Sequence, residues 1–213
     1  MLPVVFFTFH TIFFFFCSYC ERLIVDMKYL IAGLGNIGAE YANTRHNVGF
    51  RMLDRLAADA NIAFVDRRYG FVAEYKYKGR IFVLLKPSTY MNLSGRAINY
   101  WLQKENIETD RLLALVDDIA LPFGAIRLKG KGGDGGHNGL RNIVDVLGTR
   151  DFARLRFGVG NDFSQGKQMD YVLGQWTEEQ ANELPKRLEI TSDIIRSFGT
   201  IGLELTMTFF NNK

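Results

Sequence analysis

Cysteine is absent from all but the start of this 213-residue chain, because Cys17 and Cys20 are the only two. The other 187 residues (213 − 26) can form no disulfide among themselves, which permits a reducing cytoplasm as the location. A Cys-x-x-Cys pair needs further ligands before it indicates a zinc site, and His10 is the only candidate nearby. We therefore expect no bound metal.

Basic residues are absent before Arg22, whereas a secretory signal peptide begins with them. Residues 4–16 are nearly all apolar, but a transmembrane helix requires roughly 20 continuous apolar residues. A strand pattern begins at Met27. We interpret residues 1–26 as an N-terminal extension outside the native fold, produced by an upstream mis-assigned start, with a membrane anchor as the alternative.

Charge of either sign is not in large excess. The formal net charge is only +3, so affinity for nucleic acid depends on where the charges lie rather than on their total. Internal repeats and low-complexity linkers are also absent after Met27. Residues 27–213 are therefore predicted to form one cytoplasmic domain.

Strand-like and helix-like segments alternate after Met27, as in an α/β domain. Residues 69–77 and 80–86 flank Lys78-Gly79 and predict a hairpin, so the twisted sheet should be mixed, with helices on both faces. Further strands are predicted at 29–33, 112–116, 125–129 and 155–160. Helices are predicted at 48–60 with Asn47 as N-cap, around 97–102, at 140–147, and from a capping box of Thr177 and Gln180.

Residues 33–38, Gly-Leu-Gly-Asn-Ile-Gly, match the dinucleotide-binding pattern and follow a predicted strand. In that fingerprint the last glycine opens a helix whose N-terminus receives the pyrophosphate. Residues 39–47 lack apolar helical spacing, and Asp54, at the distance of a ribose partner, falls inside a predicted helix. A nicotinamide-dependent enzyme is therefore the weaker interpretation, and we expect these glycines to bring backbone close to Asn36.

Histidine is rare, and two of the three histidines precede asparagine near glycine, as His46-Asn47 and His137-Asn138. Imidazole exchanges protons near neutral pH, and the amide offers an uncharged donor and acceptor. One such pair can simply cap a helix. Two pairs with glycine neighbours indicate one polar site assembled from distant segments.

Asp117 ends the predicted strand 112–116, at the edge where α/β sheets place functional groups. The alternative is an aspartate that starts the turn before Pro122. Asn92 also follows a predicted strand. It is either a substrate-positioning amide or, like Ser94, a cap for the next helix.

Arg127, Lys129 and Lys131 alternate along a strand toward the glycine-rich loop 130–136, so they share one face. Arg154 and Arg156 repeat this spacing. Such a run is usually a solvated face. Cations beside glycine backbone N–H groups also describe a phosphate-binding groove.

Taken together, these motifs resemble the bacterial-type peptidyl-tRNA hydrolase family over residues 27–211. The segments that carry the resemblance are 33–36, 38–41, 44–49, 90–95, 116–118, 135–140 and 154–156. The resemblance implies hydrolysis of the ester between a peptide and the 3′ ribose of tRNA, without metal or organic cofactor. The implied role is release of free tRNA during translation by a cytoplasmic, monomeric protein.

The resemblance also implies roles for individual residues. His46 resembles the catalytic base and Asp117 its carboxylate partner. The amides expected to orient the peptide, the scissile carbonyl and the water are Asn36, Asn92 and Asn138. Further substrate-binding residues of the cleft are Tyr41, Met91 and His137. The basic residues expected to bind tRNA phosphates are Arg127, Lys129 and Arg156.

Two positions depart from the family pattern, which often has proline at Ile37 and a second carboxylate at Ala120. A non-catalytic RNA-binding protein on the same scaffold is the main competing hypothesis. It is disfavoured because a pure binder has no need to keep the full set of His46, Asp117, Asn36 and Asn92.

Overall fold

The computed structural model describes residues 27–211 as a seven-stranded mixed sheet with helices on both faces. The interpretation of residues 1–26 lies outside the described residues. The strands are β1 (Met27–Gly33), β2 (Val65–Arg67), β3 (Gly70–Tyr77), β4 (Arg80–Pro87), β5 (Leu112–Asp118), β6 (Ile126–Lys131) and β7 (Asp151–Gly158). Their order in the sheet is β2-β3-β4-β1-β5-β7-β6. This agrees with the predicted α/β class.

The central strands β4, β1, β5 and β7 run parallel, while β2, β3 and β6 are antiparallel to their neighbours. The chain places β4 on one side of β1 and then crosses to place β5 on the other side. Crevices in open α/β sheets form where the strand order reverses in this way. A site is therefore expected beyond the carboxyl end of β1.

The helices cover the sheet in two groups, each with its own core. They are α1 (Val48–Asp59), α2 (Ser94–Glu105), α3 (Asn138–Leu147), α4 (Gln168–Val172), α5 (Glu178–Ile201) and α6 (Leu203–Phe210). Apolar residues of α1 and α5 pack on one face, including Met52, Leu56 and Ile195. Residues of α2 and α3 pack on the other, including Trp101 and Ile143.

Local signals located several elements correctly. Lys78 and Gly79 both have positive φ (46° and 71°) and join β3 to β4, as the hairpin prediction required. Thr177 and Gln180 form the expected reciprocal capping box at the start of α5. These signals succeed because the interactions lie within a few residues of each other.

Gly49, in the first turn of α1, makes a backbone-to-backbone contact with the ends of β1 and β5. A Cβ there would lie 2.5 Å from the carbonyl oxygens of Leu115 and Leu34, and a Cβ on Gly33 would overlap the carbonyl of Gly49. Gly38 is followed by a single 3₁₀ turn, Ala39–Tyr41, and α1 begins only at Val48. The glycines therefore provide close packing, and the last one does not open a helix as dinucleotide binding requires.

Two local predictions were wrong, and one of the two alternatives for Asn92 is excluded. Strand β7 begins at Asp151 rather than Leu155, because its residues are buried on both faces and lack the alternation that marks a strand end. Asn47 occupies the N-cap position of α1 without capping it, and α2 is preceded by Leu93, so neither Asn92 nor Ser94 is its cap.

Among residues 27–211, no helix is long and apolar enough to span a bilayer.

Candidate active site

Four distant segments converge beyond the carboxyl ends of the parallel strands. Asn36 follows β1, Met91 follows β4, Asp117 is the penultimate residue of β5, and His137 immediately precedes α3. The fifth contributor is a 3₁₀ turn, Arg45–Asn47, directly before α1. The sheet topology therefore assembles most of the polar residues that the sequence singled out.

The turn that carries His46 is fixed by Arg45. The backbone N–H of Arg45 donates to Gly174 at 3.1 Å, and its guanidinium donates to the Tyr171 carbonyl and to Oε1 of Gln180. The same guanidinium lies 4.3 Å from the centroid of the Tyr171 ring, a favourable cation–π geometry. These contacts fix the position of the turn that carries His46.

His46 and Asp117 form a buried hydrogen-bonded pair. Nδ1 of His46 lies 2.8 Å from Oδ1 of Asp117, and the two side chains are only 10% and 4% exposed. Because the carboxylate accepts, the proton is assigned to Nδ1. Among the described residues none bonds to Nε2 of His46, so this nitrogen keeps a lone pair that can accept a proton.

A second imidazole binds the same carboxylate oxygen. Nε2 of His137 lies 3.0 Å from Oδ1 of Asp117, and the ring centroids of the two histidines are 5.0 Å apart. Nδ1 of His137 accepts hydrogen bonds from the backbone N–H groups of Gly139 and Leu140 and so caps α3. His137 therefore combines the two alternatives considered for a His-Asn pair, since it caps a helix and belongs to the site.

The two histidines keep Asp117 ionised. Burial by itself would raise the pKa of the Asp117 carboxyl, but its charge interactions and hydrogen bonds with His46 and His137 outweigh this and lower that pKa well below its ordinary value. The neighbouring Asp118 accepts from the backbone N–H of Ala120 at 2.9 Å and forms the turn. The turn-initiating role considered for Asp117 therefore belongs to Asp118.

A cavity of about 610 Å³ opens onto this group. Its wall includes His46, Asp117, His137 and Asn138 together with part of the glycine-rich loop. Asn138 is exposed at the first position of α3. The cavity therefore places a neutral amide beside the histidine–carboxylate pair, as a hydrolytic site requires.

Asn36 is held by Asn47, a residue that the sequence did not single out for this role. The Asn47 side chain accepts from the backbone N–H of Asn36 at 2.8 Å and donates to its carbonyl at 2.9 Å. Oδ1 of Asn36 in turn accepts from the backbone N–H of Met91 at 2.9 Å. The Asn36 side-chain NH₂ group makes no hydrogen bond with the rest of the described chain, which leaves two donors for a ligand.

We predict that Asn47→Ala lowers the free energy of unfolding by roughly 2–4 kcal/mol, because it leaves two buried backbone groups of Asn36 without partners. Urea unfolding followed by circular dichroism measures this loss. Asn43→Ala is the matched control, since the Asn43 side chain makes only an exposed hydrogen bond to Arg51. Equal losses in the two variants would contradict the assignment.

Four predicted substrate-binding residues do not line the cavity that contains His46, namely Asn36, Tyr41, Met91 and Asn92. Asn36 lines a second cavity, of about 370 Å³. Met91 is buried. Asn92 is exposed on the 3₁₀ turn Met91–Leu93 and does not line the cavity that contains His46. Tyr41 is half-buried, and its carbonyl accepts from the backbone and side chain of Thr44. Their roles toward a substrate stay predictions.

Comparison with known proteins identifies the family. The model of the family described as peptidyl-tRNA hydrolase matches residues 30–213. The chain belongs to this family.

Several curated relatives support the assignment along their whole length. The peptidyl-tRNA hydrolase of Phocaeicola vulgatus is 58% identical over 187 residues, which cover 88% of this chain and all of that protein. That of Porphyromonas gingivalis is 56% identical over 185 residues, covering 87% of this chain and all of the relative. The crystal structure of peptidyl-tRNA hydrolase from Acinetobacter baumannii is 32% identical with a TM-score of 0.81, covering 88% of this chain and 95% of that one.

The basic residues that family resemblance assigned to tRNA differ in their surroundings. Arg127 and Lys129 are exposed on β6, and Arg127 lies opposite Arg156 of β7. Arg156 is ion-paired, with Nε 2.9 Å from Oδ2 of Asp118. Arg154 is buried and donates to four carbonyl groups, including those of Gly132 and Gly133, so it supports the glycine-rich loop rather than a solvated face.

His46, Asp117 and His137 have ligand atoms within 4.8 Å of one another, the spacing that a bound metal ion requires. Both imidazole N–H groups are directed at the same carboxylate oxygen, so hydrogen bonding accounts for the clustering. A metal would have to displace both protons. The absence of a metal from the reaction stays a prediction.

Proposed function

We propose that this chain hydrolyses the ester bond between a peptide and the 3′ ribose of tRNA, releasing free tRNA and a peptide with a free carboxylate. The observation that carries the proposal is the buried His46–Asp117 pair, which leaves Nε2 of His46 available at the cavity. Membership in the peptidyl-tRNA hydrolase family supports the substrate class. The domain that we propose for this activity comprises residues 27–213.

The first step is attack of water on the ester carbonyl. Nε2 of His46 removes a proton from the water as its oxygen forms a bond to the carbonyl carbon, a contribution of roughly 10²–10⁴-fold. The imidazolium that results is stabilised by the Asp117 carboxylate across the 2.8 Å hydrogen bond. This pairing also fixes the ring tautomer that leaves Nε2 unprotonated.

The second step breaks the bond to the ribose. The tetrahedral intermediate collapses, the 3′ oxygen leaves with the bonding electron pair, and His46 returns the proton to it. Asn138 on the cavity wall is suited to stabilise the oxyanion. The NH₂ group of Asn36, which lines a second cavity, is suited to donate to the peptide. No external oxidant or cofactor enters this balance.

We propose that Arg127 and Lys129 bind tRNA phosphates, because both side chains project from β6 into solvent. Arg156 lines the cavity and is tied to Asp118, so its contribution would be made beside the reacting end of the substrate. Phosphate contacts position a nucleic acid and make binding dependent on salt. The expected division of labour places chemistry at His46 and affinity at β6.

We predict that Arg127→Ala and Lys129→Ala each raise KM several-fold with little change in kcat, and that each reduces the slope of log KM against log salt by about one. Hydrolysis rates between low and moderate salt measure both effects. Lys76→Ala is the matched control, since Lys76 is an exposed lysine of β3 on the far side of the sheet. A loss of kcat at unchanged KM would contradict this division.

The decisive experiment compares N-acetylated aminoacyl-tRNA with the same aminoacyl-tRNA bearing a free amine. We expect rapid release of tRNA from the blocked substrate and far slower release from the free-amine one. Binding of tRNA without hydrolysis of either substrate would instead favour the non-catalytic RNA-binding hypothesis. A fluorescence titration with nicotinamide dinucleotides is expected to show no binding.

A further inference from the structure

The His137 side chain uses both ring nitrogens inside the protein. Its Nδ1 accepts from the N–H groups of Gly139 and Leu140 at 3.1 and 3.3 Å, so this nitrogen carries no proton. The single ring proton must then lie on Nε2, which is 3.0 Å from Oδ1 of Asp117. Both ring nitrogens of His137 are thus engaged within the protein, and the side chain has no free polar atom to offer a substrate.

Oδ1 of Asp117 accepts from two imidazoles at once, at 2.8 Å from His46 and 3.0 Å from His137. Each donor draws on the charge of one oxygen in a buried environment, where hydrogen bonds are stronger than in water. When His46 gains a proton, Oδ1 of Asp117 stabilises the resulting imidazolium less strongly, because the same oxygen already accepts a hydrogen bond from His137. The His137 hydrogen bond therefore weakens the hold of Asp117 on a protonated His46.

We propose that His137 is a positioning residue that acts through Asp117: it fixes the carboxylate and limits how strongly His46 retains a proton. This inference rests on the proposed function only in making His46 the catalytic base. A base that binds its proton too strongly is charged, and so inactive, over more of the neutral range. The second imidazole thus keeps His46 available at lower pH.

Other charged groups surround the three residues without bonding to them. They are Asp118 on β5, Arg156 on β7 and Asp134 in the glycine-rich loop, which line the same cavity, and Arg45, which precedes His46 in its turn. Asp118 is paired with Arg156, and Asp134 accepts from the N–H of Gly136 at 2.7 Å. A substitution of His137 leaves these charges in place, so their influence cancels in the comparison with the wild type.

The test is His137→Asn, which separates the two functions of the side chain. Asparagine is among the best N-caps and can serve Gly139 and Leu140, but it is too short to reach Asp117 as well. We expect the acid limb of the kcat/KM pH profile to move to higher pH, so that its midpoint falls at a proton concentration about three- to tenfold lower than in the wild type. A change of this size is expected for one lost hydrogen bond. We expect KM to stay within about twofold, since His137 offers the substrate no polar atom.

Two further variants separate this effect from helix stability. Gly148→Ala strains the other end of α3, because Gly148 ends the helix with φ 68° and has open space around it. It should lower stability without moving the acid limb. His137→Ala removes the cap and the Asp117 bond together, so it should both lower stability and move the limb as His137→Asn does.

A substrate-free measurement keeps this inference distinct from the proposed function. The ring-nitrogen NMR titration of His46 should move to higher pH in His137→Asn and should not respond to His137 once Asp117→Asn is present. This result would stand even if peptidyl-tRNA were not turned over. Three results would overturn the proposal. The first is an acid limb of the pH profile that stays in place or moves to lower pH, and the second is a several-fold rise in KM. The third is an NMR effect of His137→Asn that persists when Asp117→Asn is present.

Discussion

His46→Ala is expected to reduce kcat for peptidyl-tRNA hydrolysis by roughly 10²–10⁴-fold or more, while the Kd for tRNA stays within about twofold. The substitution removes the one nitrogen of the histidine pair that has no partner in the described chain. It also leaves Asp117 with a single donor, His137. The basic residues on β6 are untouched, so affinity for the nucleic acid should survive.

Single-turnover hydrolysis at saturating enzyme measures the chemical step, and filter binding of uncharged tRNA measures the affinity. Free imidazole added to the alanine variant should restore part of the rate by entering the space that the ring vacates. Near-normal turnover in the variant would remove His46 from the mechanism. A parallel loss of tRNA affinity would show that the turn 45–47 had collapsed.

Asp117→Asn is the second large effect, with an expected fall in kcat of roughly 10²–10⁴-fold. The amide nearly preserves the shape of the side chain but removes the charge that stabilises the imidazolium. It can also present an N–H to His46 and so favour the wrong ring tautomer. The loss should appear in kcat rather than KM, because Asp117 acts on His46 and not on the tRNA.

Asp118→Asn is the matched control for this substitution. Asp118 is equally buried and is paired with Arg156, but it makes no hydrogen bond to either histidine. Its conversion should cost no more than about tenfold in kcat/KM, since it weakens one ion pair while the amide oxygen can still accept in the turn. Similar losses of kcat at both positions would mean that burial of charge, and not the contact with His46, sets the rate.

Much of the fold followed from short-range patterns, as the hairpin at Lys78-Gly79 and the capping box at Thr177 illustrate. Their determinants lie within four residues, so no knowledge of tertiary structure is needed. The His46–Asp117 partnership was expected only from the family resemblance, since 71 positions separate the two residues.

The remaining features depend on which side chains meet across the fold. Asn47 has the sequence context of a helix cap, yet its amide is diverted to the backbone of Asn36. Arg154 reads as one of an alternating solvent-facing pair, but β7 is covered on both faces and the guanidinium turns to loop carbonyls. A polar residue looks the same in sequence whether it faces water or satisfies a buried group.

Arg45 ties the turn of His46 to Tyr171 and Gln180, which lie 126 and 135 positions later in the chain. The N-terminal part of a chain is synthesised first, so β1 and α1 are made well before Tyr171 and Gln180. The loop closure that seats His46 must wait for the C-terminal third. We therefore expect the site around His46 to be completed late in biosynthesis, after Tyr171 and Gln180 have been added to the chain.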